Sequence, residues 1–321
     1  MRIRCAALAL LAAVAARGGD EPLLLHRSIP LEDVKGRIDH MALSAAGDIL
    51  VVAALANDTV EIVDVKEGAR IHRIRDVGKP TGVALSGDRF AVASGRDGKL
   101  HFHSARTFER VLSVDVGPDA DNVRVEVAGV EWVGCGDGAL VCVEKGGKWF
   151  EVPLAAHPES FQLESAGTRI FVNVPGAGHV AVVDREKRKV VATWKLDVKD
   201  NFPMALDEAR ARLLVGCRTP PRLLVLDTAD GRLVASLEIS GDVDDLFVDA
   251  KVGRIYASSG EGFVDVISIG EKDGYRRTAR VATSPGARTC LFDAKEGRLF
   301  VAAPQHGGKS AEIRVYRRSP P

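Results

Sequence analysis

This sequence predicts an all-β fold: a seven-bladed β-propeller of four-stranded antiparallel blades, with the ring closed by the N-terminal strand. Three observations predict it. A short apolar motif recurs seven times, its spacing is near forty residues, and the segments around it alternate apolar and polar positions with period two. The motif reads "ILVVA" from Ile49, "RFAVA" from Arg89, "VEWVG" from Val130, "RIFVN" from Arg169, "RLLVG" from Arg212, "RIYAS" from Arg254 and "RLFVA" from Arg298. Successive starts lie 40, 41, 39, 43, 42 and 44 residues apart, so one structural unit is repeated seven times.

Each motif is followed by a turn and a second alternating segment, such as "NDTVEIVDV" from Asn57, "DGKLHFHSA" from Asp97, "AGHVAVVDR" from Ala177 and "EGFVDVISI" from Glu261. Asn-Asp, Asp-Gly, Ala-Gly and Glu-Gly between apolar runs are hairpin signals, because these residues tolerate the positive φ of tight turns. A third segment follows ("RIHRIR" from Arg70, "LVASLEI" from Leu233), and a short one precedes each motif ("HMALS" from His40, "FPMALD" from Phe202). Four short strands per forty residues, with no sustained helical period, describe a propeller blade and exclude a helical solenoid. The last repeat ends after its third strand near Tyr316, and the alternating stretch Pro22 to Leu31 supplies the missing outer strand.

The chain has 321 residues with 44 basic and 44 acidic side chains, which suits one sizeable core and gives no electrostatic footprint for nucleic acid. Arg2 and Arg4, an apolar run from Cys5 to about Val14 and the small residues Ala13, Ala15 and Ala16 have the layout of a secretory signal peptide. The run is too short for a permanent span. Residues 1–17 are therefore expected to be cleaved, leaving 18–321 as a single monomeric domain, periplasmic or secreted. Cys135, Cys142, Cys217 and Cys290 lie inside strand segments and are expected to be buried free thiols. A hairpin turning at Asp137-Gly138 would set Cys135 opposite Leu140 and Cys142 opposite Val133. His101 and His103 share one face of a strand and are read as solvated.

The seven "RLFVA"-type windows, with "VEIVDV" near Asp64, "VAVVDR" near Asp184 and "LLVLDT" near Asp227, resemble the YncE-like proteins and their YVTN β-propeller repeat. Longer pieces, "DADNVR", "HPESFQLE", "NFPMALDE" and "PGART", are similar to an exported bacterial subgroup of that family. The resemblance covers nearly the whole chain after residue 17. It implies an architecture rather than a reaction. The second strands end in Val-Asp or Leu-Asp where the WD type has Trp-Asp, and Trp132, Trp149 and Trp194 do not recur at repeat spacing.

Propeller function sits where the inner strands crowd the channel mouth. Aligning them on Leu43, Leu85, Val125, Leu163, Leu206, Val248 and Phe292 places Asp39, Thr81, Asp121, Glu159, Phe202, Asp244 and Arg288 in one ring. His40, Gly82, Asn122, Ser160, Pro203, Asp245 and Thr289 form the next, with Arg124 and Gln162 further along. The repeats agree on apolar positions and disagree here. Asp39, His40, Asn122, Arg124, Glu159, Gln162, Asp245 and Arg288 are the expected ligand contacts. Asp39, Asp121, Glu159 and Asp244 have two readings: oxygen ligands of a divalent cation such as calcium, or, for the three aspartates, turn residues bonding the backbone.

The function expected is a binding module or scaffold for a small ligand, a metal ion or a protein. The alternative is a lactonase-like hydrolase, with Glu159 and His157 or His40 as general bases and Arg124 or Arg288 holding a substrate carboxylate. "GGKS" at Gly307 lacks the first glycine of a phosphate-binding loop and no helix follows it.

Overall fold

The computed structural model describes residues 21–320 apart from 127, 128, 137, 145, 146 and 148. The expected signal peptide lies outside these. Among the described residues, no helix is long and apolar enough to cross a membrane.

Seven four-stranded antiparallel sheets form the blades of a β-propeller. Blade 1 runs outward from the inner strand Met41–Leu43 through Ile49–Ala54 and Thr59–Asp64 to the outer strand Ala69–Ile74. The inner strands of blades 2 to 7 are Pro80–Ser86, Val123–Val125, Phe161–Leu163, Lys199–Asp207, Val243–Asp249 and Cys290–Asp293. Blade 7 is closed as the sequence predicts. Its third strand Ala311–Arg318 pairs antiparallel with Leu23–Leu31, from Leu23 opposite Arg318 to Leu31 opposite Ala311.

The two central strands of a blade are covered by the neighbouring blades on both faces, so their apolar residues are buried regardless of parity. Each of the seven gaps between blades holds one apolar cluster. A bulge between Leu25 and Arg27 changes which face the closing strand's apolar residues occupy. Leu23 packs into the gap between blades 6 and 7, while Ile29 and Leu31 pack into that between blades 7 and 1.

That burial corrects the reading of His101 and His103, both 3% exposed. His101 is hydrogen-bonded to Ser113 Oγ (2.8 Å) and Asp97 (3.2 Å), and His103 stacks on Phe90. The cysteines are free and buried, but the hairpin register differs by one residue from that expected. Cys135 faces Ala139 and Cys142 faces Trp132. Gly136 and Gly138 are both at positive φ, and Asp137 of the expected turn lies outside the described residues.

The segment after the closing strand positions the channel mouth. Val34 and Ile38 are buried in the cluster between blades 7 and 1. Ala56 N donates to the Arg37 carbonyl (3.0 Å) and Asp39 N to the Ala53 carbonyl (2.7 Å). Gly36 adopts φ +70°, and a Cβ there would lie 2.7 Å from the Ala56 methyl, so this close approach requires glycine.

The closing strand thus carries both an edge and core. Ile29→Ala should lower the unfolding free energy by about 2–5 kcal/mol. Deleting residues 23–30 should open the ring and expose blade 7 to limited proteolysis. A truncated chain as resistant as the intact one would refute this closure.

Candidate functional site at the channel mouth

The inner-strand residues that vary among repeats fall into two groups along the channel axis. At the mouth, a space of about 20 Å³ is lined by Arg37, His40, Asp121, Asn122, Glu159 and Asp244, among others. Below it lies a cavity of about 500 Å³ lined by inner strands from all seven blades, including His40, Arg124, Gln162 and Asp245.

The mouth is organised by alternating charge. Arg37 Nη2 lies 3.3 Å from carboxylate oxygens of both Asp39 and Asp244, spanning blades 1 and 6. Arg218 contacts Asp244, lies 3.5 Å from Asp242 and covers the Phe202 ring. Arg288 completes the chain, donating from Nη1 to Asp242 (3.0 Å) with its Nη2 2.8 Å from the other carboxylate oxygen. His157 Nε2 lies 3.6 Å from Asp121 and its Nδ1 bonds the Gly136 carbonyl (2.8 Å). His40 sits between Asp39 (3.8 Å) and Asp245 (3.7 Å).

The aspartates therefore do not act as a set of turn residues. Only Asp245 of this group bonds inner-strand backbone, accepting from Cys290 N (2.8 Å). Thr81 and Gly82 serve the scaffold: Thr81 Oγ1 donates to the Ala120 carbonyl, and a Cβ at Gly82 would overlap the Asp121 carbonyl oxygen. Gln162 donates to the Met204 carbonyl (2.8 Å), tying blade 4 to blade 5.

Burial acts unevenly on the carboxyls. It pushes Asp39 up to about 8 against the pull of Arg37, and Glu159 up to about 8 with help from the nearby charge of Asp121. Asp245 rises to about 7, again chiefly through burial. For Asp121, burial is outweighed by the His157 hydrogen bond and the neighbouring cations, and its carboxyl falls below the usual range. The same bond raises His157 to about 9. Glu159 makes no ion pair within 4.0 Å among the described residues, so its carboxyl is available to the mouth.

The calcium expectation requires oxygens that converge on one empty volume. Asp39 and Asp244 instead direct oxygens at the Arg37 guanidinium, which occupies the position a cation would take. Among the described residues, no group of three or more His, Cys, Asp or Glu side chains is arranged to hold a metal ion. As arranged, the residues do not fit that ion.

The sequence reading missed Arg37, Arg218 and Asp242. Arg37 precedes the first repeat, and Arg218 follows the repeated window of blade 5. Their pairings join residues as far as 207 positions apart, which no local spacing reveals.

Fold and site together define a seven-bladed β-propeller with an ion-paired channel mouth. No protein-family model matches the chain, and no curated protein matches it. Solved structures do. The chain is similar to Kuenenia stuttgartiensis hydrazine synthase, with TM-score 0.75 and 15% identity over 88% of this chain and 97% of that one. It is also similar to a chain in the crystal structure of the mitotic checkpoint complex, with TM-score 0.80 and 14% identity over 100% of both. At such identities the likeness shows the fold alone.

The shifted groups make stability depend on pH. Asp39 and Glu159 hold protons more tightly when folded, so their contribution is complete below the ordinary carboxyl value of about 4. It is lost as pH rises through about 8. His157 acts in the same direction, with its contribution lost as pH rises through about 9. Asp121 acts oppositely, losing its contribution only as pH falls through its lowered value. Melting temperature should therefore fall from about pH 5 to about pH 9, and Glu159→Gln should flatten the fall and be the more stable protein at the alkaline end. Parallel curves for the two proteins would exclude Glu159 as a titrating group of the mouth.

Proposed function

We propose that the protein is an exported, monomeric YncE-like propeller that acts as a binding module, taking a small ligand into the central channel beneath the charged mouth. One observation carries this reading: the concentration of ionisable groups on the channel axis. Asp39, Asp121, Glu159, Asp244 and Asp245 face Arg37, His40, Arg124, His157 and Arg218 where the seven blades otherwise agree on apolar side chains. Burying such groups is costly even when they are paired, and apolar residues of similar volume would hold the ring at least as well. Retained charge at a concave site is the usual mark of a binding or catalytic role. Export rests on the basic and apolar pattern of residues 1–17.

A lactonase-like hydrolase is the second reading, favoured by Glu159. Its carboxyl is pushed up to about 8 by burial, makes no ion pair among the described residues and lies close enough to His157 to feel its charge. That is the setting of a general acid or base.

Thermal melting of the mature chain against a small-metabolite library tests the first reading, since a ligand at a hundred times its Kd stabilises by about 2.7 kcal/mol. A hit should raise the wild-type melting temperature and lose much of its effect in Glu159→Gln or Arg124→Gln. Shifts that persist in both variants would move the site away from the channel. Lactone turnover abolished in Glu159→Gln would establish the hydrolase instead, and stoichiometric bound calcium would displace Arg37 as the cation of the mouth.

A further inference from the structure

The channel cavity contains one guanidinium, that of Arg124, that makes no ion pair among the described residues. Arg124 projects from Val123–Val125, the inner strand of blade 3, into a space of about 500 Å³. Its Nη1 donates to the carbonyl of the adjacent Val123 (2.9 Å), and it approaches the Phe161 ring at 5.7 Å. Among the described residues no carboxylate oxygen lies within 4.0 Å of it.

The contrast with the other arginines near the axis is sharp. Arg37, Arg218 and Arg288 each meet an aspartate. Asp245, an acid of the cavity lining, feels the Arg124 charge but makes its contacts elsewhere: it accepts from Cys290 N and lies 3.7 Å from His40. Arg124 is half-buried and lies within the field of Asp245 and Asp121 without touching either, so an incoming anion gains a direct contact that the protein itself does not supply.

The walls set the remainder of the ligand. Met41, Leu43, Val83, Leu85, Leu206 and Leu246 contribute apolar atoms along the inner strands, interspersed with His40, Gln162 and Asp245 in a lining of mixed polarity. A cavity of this size falls within the range of small-molecule sites. The carboxyls of the mouth and Asp245 disfavour more than one negative charge on a ligand held by a single arginine. Planar, two-point recognition by guanidinium favours a carboxylate.

Resting on the channel-binding reading above, we propose that the cavity binds a small organic monoanion, with its carboxylate on Arg124 and its apolar body along the inner-strand wall. The ligand enters from the end opposite the mouth, where the lining finishes at Leu43, Leu85, Val125, Leu206 and Val248. At the mouth itself, Arg37 bridges Asp39 and Asp244 and leaves only about 20 Å³.

Calorimetric titration of the mature chain with hexanoate, hexanamide and hexylamine tests the assignment. Hexanoate should bind at least about tenfold more tightly than either neutral or cationic probe. Arg124→Gln should erase that preference, and Arg124→Lys should retain part of it. Without ligand, Arg124→Met should melt no lower than wild type, because it removes a half-buried charge that makes no ion pair, and only a bond to the adjacent Val123 carbonyl and a 5.7 Å approach to the Phe161 ring are lost with it. Hexanamide binding as tightly as hexanoate, with Arg124→Gln unchanged, would overturn the anion assignment while leaving channel binding in place. Failure of all three probes would overturn both, and an Arg124→Met protein melting several degrees lower would assign Arg124 to the scaffold.

Discussion

Pairing of Leu23–Leu31 with Ala311–Arg318 is the constraint on which the rest of the molecule depends. A ring of blades is stable only if its last sheet is complete and every gap is filled, and this one strand does both. It supplies the outer edge of blade 7 and, through the bulge near His26, places apolar side chains in the gaps on both sides of that blade. The same connection then turns inward and delivers Arg37 and Asp39 to the axis. Closure of the fold and construction of the mouth are thus one event.

The mouth itself is a chain of opposite charges, Asp39, Arg37, Asp244, Arg218, Asp242 and Arg288, running across blades 1, 5, 6 and 7. Such pairs restrain the inner ends of blades that share no strand hydrogen bonds. Their cost is desolvation, which raises even Asp39 against the pull of Arg37 and acts on Glu159 without a direct ion pair to offset it among the described residues. Glu159 is the clearest case, held near its protonation point by burial while Asp121 beside it stays ionised through His157. One concave surface therefore presents a proton donor, a fixed anion and half-exposed guanidinium groups within a small volume. The cavity beneath is different in kind, with walls of mixed polarity and a single guanidinium, Arg124, that makes no ion pair among the described residues.

Much of this architecture is legible in the sequence because a propeller is periodic. Seven windows near forty residues apart determine the blade count, and the alternating stretch before the first repeat identifies the closing strand. Aligning the inner strands also brings Asp39, Asp121, Glu159 and Asp244 into the same neighbourhood, since equivalent positions of a ring must converge. What periodicity cannot supply is anything outside the repeat. Arg37 stands before it and Arg218 beyond the shared window, so their roles arise only from contacts between distant blades. Likewise, a period-two pattern says which residues share a face. It does not say that both faces of a central strand are covered, which is why His101 and His103 read as solvated and are buried.

The central claim, that the closing segment couples to blade 6 through the mouth, is tested most directly by a double-mutant cycle on Arg37 and Asp244. Unfolding free energies of Arg37→Gln, Asp244→Asn and the double variant isolate their interaction. Because the Arg37 side chain is 46% exposed and solvent screens it, the account predicts a coupling near 1 kcal/mol rather than that of a fully buried pair. Strict additivity of the two substitutions would contradict it.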